Sequence, residues 1–219
     1  MELLNSVQYI WVEFINMSIV DRKQREKEEM RSLILEAAKE IFLEKGYYET
    51  SMRNIAERIE YSPGTIYLYF KEKDEIFNAL HEEGFLKLFE QMQTLQHVAD
   101  PFERLKAMGK VYMEFAKKNK DFYDLMFITK APMNIEQNQD KWEMGCQSFD
   151  YLQQVIKACM NEGRFKGKDL DYLSFIIWAA LHGMCALNCR DRLHVIETKE
   201  PEDLLDNGYQ YFVSMIENI

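Results

Sequence analysis

The sequence contains little glycine and little proline, 9 and 4 residues among 219. An all-β domain needs such residues at its many turns, so their scarcity disfavours a sandwich or barrel and favours helices. The four cysteines follow no regular spacing, which disfavours a disulfide framework and favours free thiols in a reducing cytosol. With 47% hydrophobic and 13% aromatic residues, the chain can bury a substantial core.

The sequence also lacks clear targeting and membrane signals. We find no apolar stretch of transmembrane length, about 20 residues. The first 20 residues are apolar, but they contain Glu2 and Glu13 and no basic leading segment, which disfavours a secretory signal. These features predict a cytoplasmic protein without a membrane partner.

Motifs of enzyme chemistry are missing as well. There is no phosphate-binding glycine loop, nucleophile elbow, metalloprotease motif or recognisable pair of carboxylates, so we predict neither an enzyme nor a cofactor. The net charge of −10 disfavours nonspecific coating of nucleic acid. From Arg22 to Lys73, however, 11 basic residues face 10 acidic ones, so basic character is concentrated in the first third.

Apolar spacing predicts helices along most of the chain. The first spans about 25–45 and ends at Gly46, with an inward face of Met30, Leu33, Ile34, Ala37, Ala38, Ile41 and Phe42. Two short helices, about 51–59 and 62–70, follow it. Longer helices are predicted at about 74–96, 102–118, 121–129, 140–163, 169–190 and 202–217. Asp100 and Pro101 start the 102–118 helix, residues 131–139 form a loop, and Gly163 and Gly167 mark breaks.

The two short helices are a helix-turn-helix candidate. Thr50 or Ser51 can cap the first, which would bury Met52, Ile55, Ala56 and Ile59, and Ser62 with Pro63 starts the second. The alternative is a plain helical corner with Tyr67 and Phe70 in its core. The second helix has three hydroxyls and one ammonium, which favour DNA binding because such groups bind phosphates and base edges. The residues are Thr65, Tyr67, Tyr69 and Lys71.

The run from Ile34 to Phe77, with AAKEIFLEKGYYETSMRNIAERIEYSPGTIYLYFKEKDEIF at its heart, closely resembles the TetR/AcrR family of transcriptional regulators. The resemblance rests on Ala37-Ala38, Phe42, Gly46-Tyr47, Thr50-Ser51, Ile55-Ala56, Gly64-Thr65, Tyr67, Tyr69-Phe70, Lys73 and Glu75. It implies an all-α protein of about nine helices, dimerised through the last two. We expect an N-terminal extension (1–24), a three-helix helix-turn-helix DNA-binding domain (25–88, helix-turn-helix about 51–70) and a larger helical ligand-binding and dimerisation domain (89–219).

The resemblance also implies a DNA-contacting surface. In the family, residues at the positions of Ser51, Arg53, Thr65, Tyr67, Tyr69 and Lys73 usually meet DNA, mostly phosphates, and we add Ser62, Pro63, Gly64 and Lys71. Three positions depart from the family pattern. Glu60 replaces a turn glycine, which costs roughly 1 kcal/mol if the backbone is left-handed. Pro63 and Leu68 replace polar residues, so few direct base contacts are expected.

The C-terminal part resembles the family only in outline. Trp178-Ala-Ala-Leu-His182-Gly183 looks like the Trp-His-Gly signature of one subset, or else forms a dimer helix with His182 as a core residue. Aromatic residues of this part either line an apolar effector pocket or simply form core: Phe115, Phe122, Trp142, Phe149, Trp178 and His182. His182, Cys185 and Cys189 share a helical face, although one helix usually supplies only two metal ligands.

Together these observations predict a ligand-responsive repressor. A homodimer formed through about 169–217 would bind a palindromic operator on double-stranded DNA and be released by a small apolar effector, with residues 1–16 dispensable. The alternatives are a metal- or thiol-responsive regulator using His182, Cys185 and Cys189, a helical adaptor that does not bind DNA, and an enzyme.

Overall fold

The computed structural model describes the backbone of residues 2–130 and 143–219 and the side chains of residues 21–130 and 143–219. Within these ranges every regular element is helical, which confirms the all-α prediction. The α-helices there are α1 (Glu2–Lys45), α2 (Met52–Arg58), α3 (Pro63–Tyr67), α4 (Lys73–Gln93), α5 (Pro101–Lys118), α6 (Lys120–Phe127), α7 (Glu143–Asn161), α8 (Leu170–Cys189) and α9 (Pro201–Glu217). The chain forms two compact units, Met1–Ile76 and Phe77–Ile219, divided within α4 rather than after residue 88.

Helix α1 is longer than the predicted 25–45. It begins at Glu2, so the expected N-terminal extension continues into the same helix. No glycine or proline precedes Gly46, so no residue interrupts the backbone hydrogen-bond ladder. An exposed ion pair one turn apart, Arg22 Nε to Glu26 Oε1 at 3.5 Å, adds local support.

The core of the N-terminal unit combines one face of each helix. Leu33 is 43% exposed, so the predicted inward face of α1 is narrower than expected. Tyr67 is 54% exposed, whereas a plain helical corner would bury it; Phe70 is buried. The buried apolar residues include Ile34, Ala37, Ala38, Ile41, Phe42, Met52, Ile55, Ala56 and Ile66.

Helix α2 ends in a left-handed turn at Glu60, where φ is +60°. The Tyr61 N–H donates to the Ala56 carbonyl (2.9 Å) and the Glu60 N–H to the Glu57 carbonyl (3.3 Å), the two bonds of a Schellman motif. The backbone at Glu60 is therefore left-handed, which is the condition on which the strain considered above depends. A residue with a Cβ atom is strained there, by roughly 1 kcal/mol relative to glycine.

The C-terminal unit follows the predicted helix boundaries within a few residues. Asp100 Oδ1 accepts hydrogen bonds from the backbone N–H groups of Phe102 (2.8 Å) and Glu103 (2.9 Å), so the predicted start of α5 is confirmed. Gly163 and Gly167 have φ of +89° and +72° and interrupt the chain as expected. The predicted loop at 131–139 lies outside the described residues.

Helix α8 corrects the expectation that no segment reaches transmembrane length. It has 20 residues, a mean hydropathy of 1.5 over its most apolar window, and only 28% of that window is buried. A single such helix among the described residues is a weak indication of a membrane, because length and composition alone also fit helices of soluble proteins. Exposed apolar side chains lie on it and on α9, and we call this set the apolar face: Tyr172, Phe175, Ile176, Leu187, Tyr211 and Met215.

The turn at Glu60 yields a stability prediction. Replacing Glu60 by glycine should raise the free energy of unfolding by roughly 0.5–1 kcal/mol, because glycine adopts positive φ without steric strain. Chemical denaturation of the full chain measures this change. The control, Glu60→Ala, removes the same carboxylate but keeps a Cβ atom and should leave stability nearly unchanged. Equal stabilisation by both variants would mean that charge, not backbone strain, is responsible.

Candidate functional site

Ser51 caps helix α2, as predicted. Its hydroxyl oxygen accepts from the Asn54 N–H at 3.2 Å, while Asn54 Oδ1 accepts from the Ser51 N–H at 3.1 Å, completing a capping box. The Ser51 hydroxyl also donates to Asn54 Oδ1 at 2.8 Å. To donate to a phosphate, the Ser51 hydroxyl must therefore first break its hydrogen bond to Asn54 Oδ1. Arg53 is exposed and pairs with Glu57 one turn away, at 2.8 Å.

Helix α3 has the predicted cap and first residue but is shorter than 62–70. Ser62 Oγ accepts from the Thr65 N–H at 3.2 Å, and Pro63 is the first helical residue. The α-helix ends at Tyr67, and residues 68–69 continue as a turn. The predicted contact residues of this segment are therefore accessible: Ser62, Pro63, Gly64, Tyr67 and Lys71 are exposed, and Thr65 and Tyr69 are half-buried.

The ammonium of Lys73 is engaged within the N-terminal unit. Its Nζ donates to the carbonyl oxygens of Tyr47 (2.6 Å) and Thr50 (2.7 Å) and lies 4.2 Å from the centroid of the Tyr47 ring. Burial lowers the pKa of Lys73. Two of its three N–H donors hold the loop between α1 and α2, so Lys73 positions this loop, in addition to any phosphate contact that the third donor makes.

Further contacts fix the same loop and the helix after it. The Tyr47 hydroxyl donates to Asp74 Oδ1. The guanidinium of Arg58, on α2, bridges two carboxylates of α1, with Nη1 2.6 Å from Glu40 and Nη2 2.7 Å from Glu44. The loop before α2 is thus held by side chains from the first turn of α4, and the end of α2 is held by two carboxylates of α1.

A cavity of about 360 Å³ lies within the C-terminal unit. This volume falls in the range of small-molecule sites, and the walls are mainly aliphatic and aromatic. Helices α4 to α9 all contribute to the lining. The lining residues include Phe85, Leu88, Met92, Leu105, Met108, Tyr112, Phe127, Phe149, Ile177, Trp178, Leu181, Tyr209, Phe212 and Ile216.

Two of the predicted pocket residues, Phe149 and Trp178, line this cavity. Phe115 and Phe122 do not line the cavity, because both are buried in the core. Tyr112 is the last residue of α5 in the cavity wall, and Phe115 lies one turn beyond it. Trp142 lies outside the described residues.

His182 belongs to a polar cluster beside the cavity rather than to its lining. The Tyr123 hydroxyl donates to the His182 carbonyl oxygen at 3.2 Å and lies 2.9 Å from His182 Nδ1. The Tyr112 hydroxyl lies 3.4 Å from both the Tyr123 hydroxyl and His182 Nδ1. Burial lowers the pKa of His182, which favours the neutral imidazole. His182 therefore contacts the cavity wall through Tyr112 and through the contacts of its ring with Phe127 and Trp178.

The metal-responsive alternative gains no support. In the part of the chain that the structure describes, no group of three or more His, Cys, Asp or Glu side chains is placed to hold a metal ion. Burial raises the pKa of the Cys185 thiol to about 12, which disfavours the thiolate form at neutral pH.

Among the cavity residues that sequence reasoning missed are three on α4 and three on α9, two helices from which no pocket residue was predicted. Phe85, Leu88 and Met92 recur at helical spacing, but the predicted DNA-binding domain included α4 up to residue 88. Gly109 is a second missed feature: a Cβ atom there would lie 2.5 Å from Tyr209 Oη, so only glycine leaves room for this ring. An isolated glycine inside a predicted helix was the available signal.

Family comparison agrees with this geometry. The model for bacterial regulatory proteins of the tetR family matches residues 34–80. The model for a tetracyclin repressor-like C-terminal domain matches residues 105–210. A capped helix-turn-helix followed by a helical unit with an apolar cavity is the architecture of a regulator that has one DNA-binding unit and one ligand-binding unit. The chain belongs to the tetR family, whose members are transcriptional regulators rather than enzymes.

Individual relatives match parts of the chain. The regulator HbdR of Aromatoleum sp. (strain CIB) is 39% identical over 138 residues, 62% of this chain and 60% of HbdR. The transcriptional activator FasR of Mycolicibacterium smegmatis is 29% identical over 102 residues, 46% of this chain and 47% of FasR. This chain thus spans about half the length of the curated relatives it matches.

A solved structure shares the fold over most of the chain. The transcriptional regulator FadR from Bacillus subtilis, in complex with stearoyl-CoA, has a TM-score of 0.68 and 22% identity. The match covers 84% of this chain and 97% of FadR. At 22% sequence identity, this structural similarity shows that the two proteins share a fold and says nothing about the ligand of this chain.

The contacts of Lys73 predict a stability effect. Lys73→Met should lower the free energy of unfolding by about 1.5–3 kcal/mol, because two carbonyls lose a charged donor. Chemical denaturation measures this. Lys71→Met, at an exposed position in the same segment, is the control and should change stability by less than about 0.5 kcal/mol. Unchanged stability of Lys73→Met, with a DNA-binding salt slope lower by about one, would instead make Lys73 a phosphate anchor alone.

Proposed function

We propose that the protein is a ligand-responsive transcriptional repressor of the cytoplasm. It binds a palindromic operator as a homodimer and is released by an effector with an apolar chain. The observation that carries this proposal is the 360 Å³ apolar cavity in a chain that also contains a capped helix-turn-helix.

The proposed DNA surface consists of the start of α2 and the exposed segment from Ser62 to Lys71. This surface offers hydroxyls, backbone N–H groups and cations, which suit contacts with phosphates. The proposed phosphate contacts are those of Ser51, Arg53, Tyr67, Tyr69 and Lys71. Pro63, Gly64 and Thr65 remain for base edges, and Pro63 offers only apolar contact, for example with a thymine methyl. We expect affinity from phosphates and modest direct base readout.

The proposed dimer uses the apolar face of α8 and α9. Large exposed apolar patches mark interaction sites in soluble proteins, and this face has no partner within the described protomer. A Cβ atom at Gly183 would meet nothing within 4 Å, so the space beside this glycine is open in the protomer. A second copy can approach the helix closely there.

An acyl chain is the effector class that we propose for the cavity. The lining offers aliphatic and aromatic contacts, and burying each methylene group gains about 0.8 kcal/mol. FadR, which shares this fold, was solved with stearoyl-CoA, a ligand of this chemistry. Release from DNA requires different affinities of the effector for the two states, typically 1–3 kcal/mol, so operator affinity should fall by roughly 5–150-fold.

The operator experiment tests the regulator function. Purified protein should select palindromic genomic fragments with half-sites roughly 34–36 Å apart, or slightly more, and acyl ligands should release them. Ile177→Trp fills the cavity and should keep operator binding while abolishing release. A reporter gene distinguishes repression from activation, the role named for FasR. Equal affinity for random duplex at physiological salt would refute the proposal.

The dimer experiment uses Gly183. Gly183→Leu should give monomers in sedimentation and lower operator affinity at least tenfold, because the side chain occupies the interface. Leucine improves helix propensity by about 1 kcal/mol over glycine, so unfolding is not the expected cause. Gln154→Leu, on the exposed side of α7, adds the same side chain elsewhere and should remain dimeric. A dimeric Gly183→Leu protein would place the interface on another surface.

A further inference from the structure

The apolar cavity adjoins a second, polar recess. A groove of about 400 Å³ lies between α5 and α9 and shares two lining residues with the cavity, Lys106 and Tyr209. The groove is otherwise lined mainly by polar and charged side chains: Glu103, Lys110, Gln210, Ser214 and Glu217. One ligand can therefore reach both spaces if the shared residues move apart.

Tyr209 is the partition between the two spaces. Its side chain is buried, with 3% exposure, and lies against the bare α-carbon of Gly109. The Tyr209 hydroxyl donates to the Lys106 carbonyl at 2.5 Å, which holds the ring in place. This hydrogen bond and the contact at Gly109 hold the ring between the two spaces.

The two lysines of the groove, Lys106 and Lys110, differ in whether a carboxylate pairs with them. Lys106 pairs with Glu103 one turn away on α5. Lys110 is exposed, and no described carboxylate lies within 4.0 Å of its Nζ. Glu217 is the opposing charge on α9. Lys110 is therefore available to an anionic group that enters beside Tyr209, and Lys106 can contribute when it exchanges Glu103 for the ligand.

We propose that this protein takes an amphipathic effector whose apolar chain fills the cavity and whose anionic end lies in the groove at Lys106 and Lys110, with Tyr209 as the gate. This inference deepens the proposed function and rests on its apolar effector. A fatty acid carboxylate and the phosphates of an acyl-coenzyme A thioester share the required chemistry. Apolar burial would supply most of the affinity, and the groove would select for a charged end.

The binding experiment compares dodecanoate with dodecanol, which has the same chain without the charge, both below micelle formation. Lys110→Glu should weaken dodecanoate at least tenfold and dodecanol less than twofold. Lys157→Glu, an exposed lysine of α7 with the same charge change, is the control and should alter neither. Shortening the chain by one methylene should weaken both ligands about fourfold in every protein, the factor for about 0.8 kcal/mol.

Kinetics test the gate. Tyr209→Phe removes the hydrogen bond to the Lys106 carbonyl and should speed association of dodecanoate about fivefold, the factor for one hydrogen bond of about 1 kcal/mol. Dodecanoyl-coenzyme A distinguishes the two sources. Equal losses for both anions with Lys110→Glu support a shared end-group site, and a loss confined to the thioester assigns the groove to its phosphates.

The outcomes separate this inference from the proposed function. If neither dodecanoate nor dodecanol binds the wild-type protein, the apolar effector is wrong and the proposed function fails with it. If both bind and Lys110→Glu changes the affinities for dodecanoate, dodecanol and dodecanoyl-coenzyme A equally or not at all, the groove inference is overturned while the cavity stands. Unchanged association in Tyr209→Phe overturns the gate.

Discussion

The N-terminal unit depends on how the backbone carbonyls after α1 are satisfied. A helix leaves its last carbonyls without intrahelical partners, and a buried unpaired carbonyl is unfavourable. Here the Thr50 hydroxyl donates to the Gly46 carbonyl at 2.7 Å, and Lys73 donates to those of Tyr47 and Thr50. These bonds fix the loop that ends at Ser51, and the start of α2 sets the direction of the segment that follows.

Local signals made the helix-turn-helix predictable. The caps at Ser51, Ser62 and Asp100 each depend on a side chain bonding to backbone two or three residues away, so a short sequence window contains the whole interaction. The left-handed turn at Glu60 was predictable from the glycine that relatives place there. The second role of Lys73 was not, because its partners are 23 and 26 residues away.

The cavity shows the limit of apolar periodicity. The same spacing places Tyr112 in the cavity wall and Phe115 in the solid core, because both are inward positions of α5. A cavity is a local failure of packing among several helices, and no single helix encodes it. Phe149 and Trp178 were identified because aromatic residues were abundant there. Phe85 and Phe212 required the arrangement of α4 and α9.

The contact between Gly109 and Tyr209 makes the residue that is tolerated at one position depend on the residue at the other. A larger residue at 109 is tolerated only if the ring at 209 shrinks or swings away, and a smaller residue at 209 removes the need for glycine. Substitutions at contacting sites are non-additive, so each of these two changes has a different effect once the other is present. We therefore expect the residues at positions 109 and 209 to change together among relatives, although a hundred positions of chain separate them.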